Sequence, residues 1–262
     1  MLILKAILLG LIEGATEFLP VSSTGHLIVA SEALGFPEQS RATFEIFIQL
    51  GAILAVVWHF RSPLLESLRR AGADAMDGAL LAKVLLAFFP AALVGLFFHD
   101  AIETHLFSPR VVAVSLLIGG VVIVAVERRR WQFNVERIER ASWSQALWVG
   151  IAQVLSLIPG VSRAGATIIG GMFAGLNRPT ATQFSFYLSI PTMAAASLYS
   201  LFKARNLIAA EDALLLIVGF VTAFASALVV VRAFIAFVQR HDFTPFGYYR
   251  IVAGLLLLWY LG

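Results

Sequence analysis

The chain has no cysteine and little charge. Among its 262 residues the absence of Cys excludes disulfides and thiolate metal sites. Asp, Glu, Lys and Arg make up 13%, about half the roughly 25% usual for soluble domains. Apolar residues fill the space: 60% of the chain is hydrophobic and the mean hydropathy is +0.87. A soluble helical core would need polar faces, and the runs 111–126, 213–231 and 251–261 lack them. The composition therefore predicts an all-α, polytopic integral membrane protein. A net charge of +3 is too small to mark a nucleic-acid partner and reads as loop bias. A lone Lys5 and no small-residue cleavage site argue against a signal peptide.

One stretch breaks the apolar background: Glu13-Gly14-Ala15-Thr16-Glu17-Phe18-Leu19-Pro20-Val21-Ser22-Ser23-Thr24-Gly25-His26. Ionisable groups at membrane depth are costly and mark function. The helix over 2–19 is stopped by Pro20, and the run from 24 to 35 is short. Neither reaches the roughly 20 residues of a span, so the pair predicts a re-entrant hairpin with a polar tip. Spans are expected at 43–60, 80–98 and 111–126. Arginine-rich loops at 61–78 and 127–140 then lie in the cytoplasm and 99–110 outside.

The second half repeats this order. Gln153 falls 140 residues after Glu13, Phe184 falls 140 after Phe44, and Pro159 and Ser162 fall 139 after Pro20 and Ser23. A second hairpin tip, Pro159-Gly160-Val161-Ser162-Arg163-Ala164-Gly165-Ala166-Thr167, precedes spans at 183–201, 212–237 and 247–261. The loop 202–212 is mixed in charge, whereas 239–246 carries Arg240 and His241. With three spans per half, the halves (about 1–130 and 141–262) are expected to be inverted repeats within one membrane domain over 1–262. Their hairpin tips then meet near the midplane.

Glu13 and Glu17 share a helix face. In a low dielectric one of them is protonated or a hard divalent cation, Mg²⁺ or Ca²⁺, sits between them. One of Ser22, Ser23 and Thr24 is an N-cap. His26, one turn beyond Ser23, offers a hydroxyl–imidazole pair. Arg163 is either a phosphate clamp or an ion-pair partner of Glu17. Ser162 and Thr167 are hydroxyl donors toward phosphate, and Gly160 and Gly165 allow close backbone approach at a helix start that favours anions. Glu45 and Gln49 share a face of the next span and form the weaker candidates. His59, His99, His105 and the five tryptophans read as interfacial.

The segments Glu13–His26 and Pro159–Thr167 resemble the two signatures of the bacterial undecaprenyl-diphosphate phosphatase family, the bacitracin-resistance type, and the likeness extends through Phe44–Ala55 and Phe184–Pro191. The resemblance implies hydrolysis of a polyprenyl diphosphate lipid in the bacterial cytoplasmic (inner) membrane, at a site open to the periplasmic or outer face, with a divalent cation. It implies Glu13 and Glu17 as the acidic, metal-binding residues and Ser23 and His26 as hydroxyl and imidazole. It also implies Ser162, Arg163 and Thr167 as phosphate binders, with Ser22, Thr24 and Gly165 beside them. The family's serine after the arginine is Ala164 here. Ser23, His26 or a metal-activated water are all open as nucleophile. A transporter of the same anionic lipid is the rival reading, since broken helices in inverted repeats are a transporter architecture. Lipid-facing and partner-facing surfaces have the same composition, so a homo-oligomer is allowed.

Overall fold

The computed structural model describes residues 1–70, 75–204 and 213–261. Its regular elements are helices: α1 (Leu2–Thr16), α2 (Ser23–Ala33), α3 (Glu38–His59), α4 (Arg61–Arg70), α5 (Ala75–Leu106) and α6 (Pro109–Glu127), followed by α7 (Trp143–Val154), α8 (Arg163–Phe173), α9 (Arg178–Ala204), α10 (Ala213–Val238) and α11 (Thr244–Leu261). Among the described residues the only β pairing is one isolated bridge, Val135 with Leu176.

Four helical segments are long and apolar enough to cross a bilayer: Glu38–His59, Leu80–Phe98, Pro109–Glu127 and Ala213–Val238. Their outward residues are large and bare, among them Leu93, Ile118, Val121, Ile217 and Val229. Such a surface is stable in lipid and not in water, so the protein is a multi-pass membrane protein. The span expected at 183–201 is also helical but is built differently. Its helix, α9, buries Thr180, Thr182, Ser185, Ser189 and Ser197 together with Phe184, Phe186 and Leu188. It packs against α3, α8 and α5, and over 180–193 it is buried by protein, so that part needs less hydropathy, whereas Leu198 and Phe202 further on are exposed. The span expected at 247–261 is the C-terminal part of α11, paired along its length with α6.

Small residues bring the helices into backbone contact, as packing without a hydrophobic driving force requires. A side chain at Gly14 of α1 would lie 2.5 Å from the Ala223 carbonyl oxygen of α10, and one at Gly120 of α6 would lie 2.7 Å from that of Gly247 in α11. Two of the regions expected as loops are largely helical. Residues 61–70 form α4, and α5 runs on to Leu106, so the expected 99–110 loop shrinks to the turn around Phe107 and Ser108. These ends are polar and extend the helices past the apolar length. Residues 205–212 of the mixed-charge loop lie outside the described residues.

The backbone repeats at an offset of 140. α2 and α8 have 11 residues each and start at 23 and 163. Each is preceded by a serine in left-handed conformation, Ser22 (φ 71°) and Ser162 (φ 73°), and followed by a left-handed glycine, Gly35 (φ 56°) and Gly175 (φ 94°). Ser162 therefore corresponds to Ser22 and not to Ser23. The alignment on the prolines was one residue off because Pro20 and Pro159 occupy different positions within the two turns.

Glu127 ties one end of the bundle together. Its carboxylate, 1% exposed, accepts bonds from Nε and Nη2 of Arg178 at the start of α9 and from the Phe243 N–H just before α11 (2.9 Å). Breaking a buried pair by removing one partner costs about 3–5 kcal/mol, and the low end applies because Arg178 is 28% exposed. Glu127→Ala should therefore lower the melting temperature of the detergent-solubilised protein clearly, and Arg178→Ala, which leaves the buried carboxylate without its cation, by at least as much. An unchanged melting temperature in Glu127→Ala would show that the three helix ends hold without this carboxylate.

Candidate active site

Two turns meet inside the bundle. The first follows α1, whose C-cap is Glu17, and runs through Leu19 and Pro20. The second follows the 3₁₀ turn Leu155–Leu157 and passes through Gly160 (φ 90°) to Ser162. The Ser162 hydroxyl accepts the Gly165 N–H at 3.1 Å, capping α8, and donates weakly to the Leu19 carbonyl of the first turn (3.4 Å). Ser22 caps α2 by position but its side chain makes no capping bond.

The two turns enclose a cavity of about 200 Å³, bounded by Glu17, Ser22, Ser23, Thr24, Ser162 and Arg163 with Gln49 and Thr192 beyond them. Three of these residues form a connected chain. Ser23 Oγ donates to Glu17 Oε2. Arg163 Nη2 approaches Glu17 Oε1 at 3.4 Å, and its Nη1 donates to the Ser185 carbonyl at 3.1 Å. Arg163 Nε is buried and has no hydrogen-bond partner. A hydroxyl bonded to a carboxylate that a third group orients is a nucleophile-and-base arrangement. An unused N–H on a buried guanidinium is a donor awaiting an anion.

Arg163 is the ion-pair partner of Glu17 and also lines the cavity. Other expectations change. The Ser23–His26 bond is not made, because Ser23 turns to Glu17. His26 Nδ1 lies 2.7 Å from the Ser22 carbonyl, which can only accept, so Nδ1 carries the proton. His26 Nε2 bonds the Tyr249 hydroxyl of α11, with the two rings nearly parallel (6°, centroids 5.5 Å). The Thr167 hydroxyl, fully buried, is engaged by the Arg163 carbonyl (2.8 Å) and by Ser185 Oγ (2.7 Å), so it braces α8 on α9 and does not face the cavity. Gly165 likewise faces Ser162 and Arg250 and not open space. Ala164 is fully buried among apolar residues, which places this departure from the signature away from the cavity.

Glu13 is 2% exposed and one turn from Glu17, whose N–H donates to the Glu13 carbonyl. The pair supplies carboxylate oxygens only, which suits a hard cation. Among the described residues no group of three His, Cys, Asp or Glu is placed to hold a metal. Glu45 pairs with Arg41 at 2.9 Å on a half-exposed face, whereas Gln49 accepts a bond from Ser197 and lines the cavity.

Sequence reasoning missed Arg250. Its side chain is 1% exposed and donates to five backbone carbonyls: Pro20 of the first turn (3.1 Å), Gly160 and Val161 of the second (2.9 Å each), and Ser115 and Leu116 of α6 (3.0 and 3.4 Å). It is a lone arginine in an apolar helix, the same signal that marked the first turn. Tyr249 beside it was missed too, and only the fold pairs it with His26. Tyr249 and His26 line a second, larger groove of about 820 Å³, walled by α1, α2, α6 and α11 and lined almost wholly by apolar side chains such as Ile28, Val29, Leu116 and Leu256.

Fold and site together define the class: a multi-pass helical membrane protein with a buried hydroxyl–carboxylate–guanidinium site between two interrupted helices. The chain matches the family described as "Bacitracin resistance protein BacA" over residues 6–256, and it belongs to that family. It is similar to "Undecaprenyl-diphosphatase 2" of Rhodospirillum rubrum, with 52% identity covering 98% of this chain and 94% of that protein. It is 48% identical to the undecaprenyl-diphosphatase of Nitrosospira multiformis (98% and 94% covered) and 46% to that of Pseudomonas aeruginosa (97% and 92%).

Each carbonyl that loses its only buried donor costs about 1–3 kcal/mol. Arg250→Met should therefore destabilise the protein strongly. Arg250→Lys should rescue little, because three donors on one nitrogen cannot reach five carbonyls on three segments. Thermal unfolding of both variants in detergent tests this, and a wild-type melting curve for Arg250→Met would remove its tethering role.

Proposed function

We propose that the protein is an integral-membrane phosphatase that converts undecaprenyl diphosphate to undecaprenyl phosphate and inorganic phosphate. This would recycle the lipid carrier of cell-wall synthesis and confer bacitracin resistance. The observation that carries the reading is the Ser23–Glu17–Arg163 chain at the cavity, in a family whose relatives bear the diphosphatase name. Ser23 Oγ attacks the terminal phosphorus and passes its proton to Glu17. The bond between that phosphorus and the bridging oxygen breaks, and undecaprenyl phosphate leaves. Water then attacks the phosphoserine, releasing phosphate and returning the proton to Ser23. The Arg163 guanidinium and the Ser22, Thr24 and Ser162 hydroxyls, which line the cavity, hold the charged oxygens, and such electrostatic stabilisation is the largest catalytic term in many enzymes. The Ser23–Glu17 bond favours Ser23 over His26 as nucleophile, since Nε2 of His26 is held by Tyr249.

A divalent cation, Mg²⁺ or Ca²⁺, would be held by Glu13 and Glu17 and would supply further charge neutralisation at the diphosphate. The polyprenyl tail fits the apolar groove. The first turn of α2 faces the polar cavity and its later turns face the groove, so one helix serves both ends of an amphiphile. The matching turns at Ser22 and Ser162, with hairpins α1–α2 and α7–α8 at the same offset, support two inverted repeats with re-entrant hairpins. The arginines at 128–130, 137 and 140 support placing that end in the cytoplasm and opening the site to the outer face of the bacterial inner membrane.

The test is phosphate release from undecaprenyl diphosphate by the purified, detergent-solubilised protein. Ser23→Ala, Glu17→Gln and Arg163→Ala should each lose about 10²–10⁴-fold in rate, with His26→Ala losing less. EDTA should stop release, and Mg²⁺ or Ca²⁺ should restore it. Wild-type rates in Ser23→Ala would move the nucleophile to His26 or water, and indifference to EDTA would sink the cation. Folded wild-type protein that releases no phosphate would overturn the phosphatase reading itself.

A further inference from the structure

A third concavity, remote from both the polar cavity and the groove, is unaccounted for by the proposed reaction. It measures about 360 Å³ and lies between the segment leaving α6 (Arg129, Arg130, Trp131, Gln132 and Asn134) and the end of α8 (Met172 to Gly175). Its walls are fixed by backbone bonds. The N–H groups of Asn134 and Val135 donate to the Gly175 carbonyl (2.9 and 3.2 Å), and Asn177 N–H donates to Val135 O (3.0 Å). The carbonyls at the end of α8 are thereby used: Gly175 by these two bonds, and Ala174 by the Gln145 amide at 2.8 Å. They make no demand on the arginines.

The charge in this pocket is uncompensated. Glu127, next in sequence, is spent on Arg178 and Phe243. Among the described residues neither Arg129 nor Arg130 has a carboxylate partner; Arg129 lies over the Trp131 ring, 4.8 Å from its centroid. Beside this basic wall is an apolar one. Trp131 packs edge-on against Phe173 at 5.1 Å, and Phe173 is 49% exposed. The positive-inside rule accounts for arginines in this segment, but topology needs only charge. It does not account for a preformed hollow with amide side chains beside the guanidinia and an exposed aromatic at its rim.

Two arginines and two amide residues lining one hollow supply the donors that a phosphate group takes, and an adjoining exposed aromatic matches the glycerol and upper acyl region. We propose that Arg129, Arg130, Gln132 and Asn134 form a binding site for the phosphate head group of an anionic glycerophospholipid, with Trp131 and Phe173 against its acyl chains. This lipid is distinct from the substrate and is bound at the basic end of the bundle, so the proposal is independent of the phosphatase reading. Binding there joins the segment after α6 to the end of α8 through a non-protein bridge.

The test is native mass spectrometry of the full-length protein in detergent, titrated with phosphatidylglycerol or with phosphatidylcholine. Wild type should bind phosphatidylglycerol at least about tenfold more tightly. The double variant Arg129→Gln/Arg130→Gln should lose that preference. Arg128→Gln/Arg137→Gln removes the same charge from the same segment outside the pocket and should keep it. Equal losses in both doubles would mean that loop charge and not the pocket attracts the lipid, which overturns the proposal. So would the absence of any preference in wild type, or displacement of the lipid by inorganic phosphate at equal concentration, which would make this a site for the free anion. Melting curves of both doubles confirm that each is folded.

Discussion

Irregular backbone inside a membrane must find its hydrogen bonds within the protein. The two turns that build the site are irregular, and one side chain answers for much of their need. The guanidinium of Arg250 gathers carbonyls from Pro20, Gly160 and Val161, and from Ser115 and Leu116 on the supporting helix. Five donors in a rigid plane suit this task, and burying the charge is offset by the carbonyl dipoles around it. The remaining features of the site, from the left-handed serines to the Ser162–Leu19 contact, sit on turns held in place by that plane.

The polar chain of the site depends on a second arginine used differently. Arg250 has its donors fully committed, whereas Arg163 keeps Nε free and divides the others between Glu17 and Ser185. One guanidinium has every donor committed and the other keeps one unused, although both are buried and both lie beside the same turns. Glu17 pairs with Arg163 and receives the Ser23 hydroxyl. Ser23 and Glu17 belong to the first turn and Arg163 to the second, so the proposed site needs both. This is a reason for the two turns to be brought together.

Much of this was legible before any coordinates. Polar residues inside apolar runs marked both turns, and Glu17, Ser23 and Arg163 were named from chemistry alone. Four of the six expected spans followed from length and hydropathy. What failed did so for identifiable reasons. His26 was assigned to Ser23 by sequence proximity, but the competing partner, Tyr249, lies 223 residues away and is visible only in the fold. Thr167 was taken as a ligand donor, and a hydroxyl's choice between a ligand and a neighbouring Ser185 is not written in its spacing. The repeat register slipped by one because prolines are conspicuous, whereas the feature that repeats is a backbone angle at serine. The serines and threonines of α9 lowered its hydropathy because that helix is walled by protein.

The position of Arg250 in the chain has a consequence for how the molecule comes into being. Pro20 and Arg250 are separated by 230 residues, and Arg250 sits on the last of the described helices. During synthesis the first turn enters the membrane long before its principal donor exists. The carbonyl of Pro20, and later those of Gly160 and Val161, must rely on water or on provisional partners until α11 packs against α6. Assembly of the centre is therefore the closing event of folding. A chain interrupted before that helix would have most of its spans in place and an unfinished, hydrated interior where the site belongs.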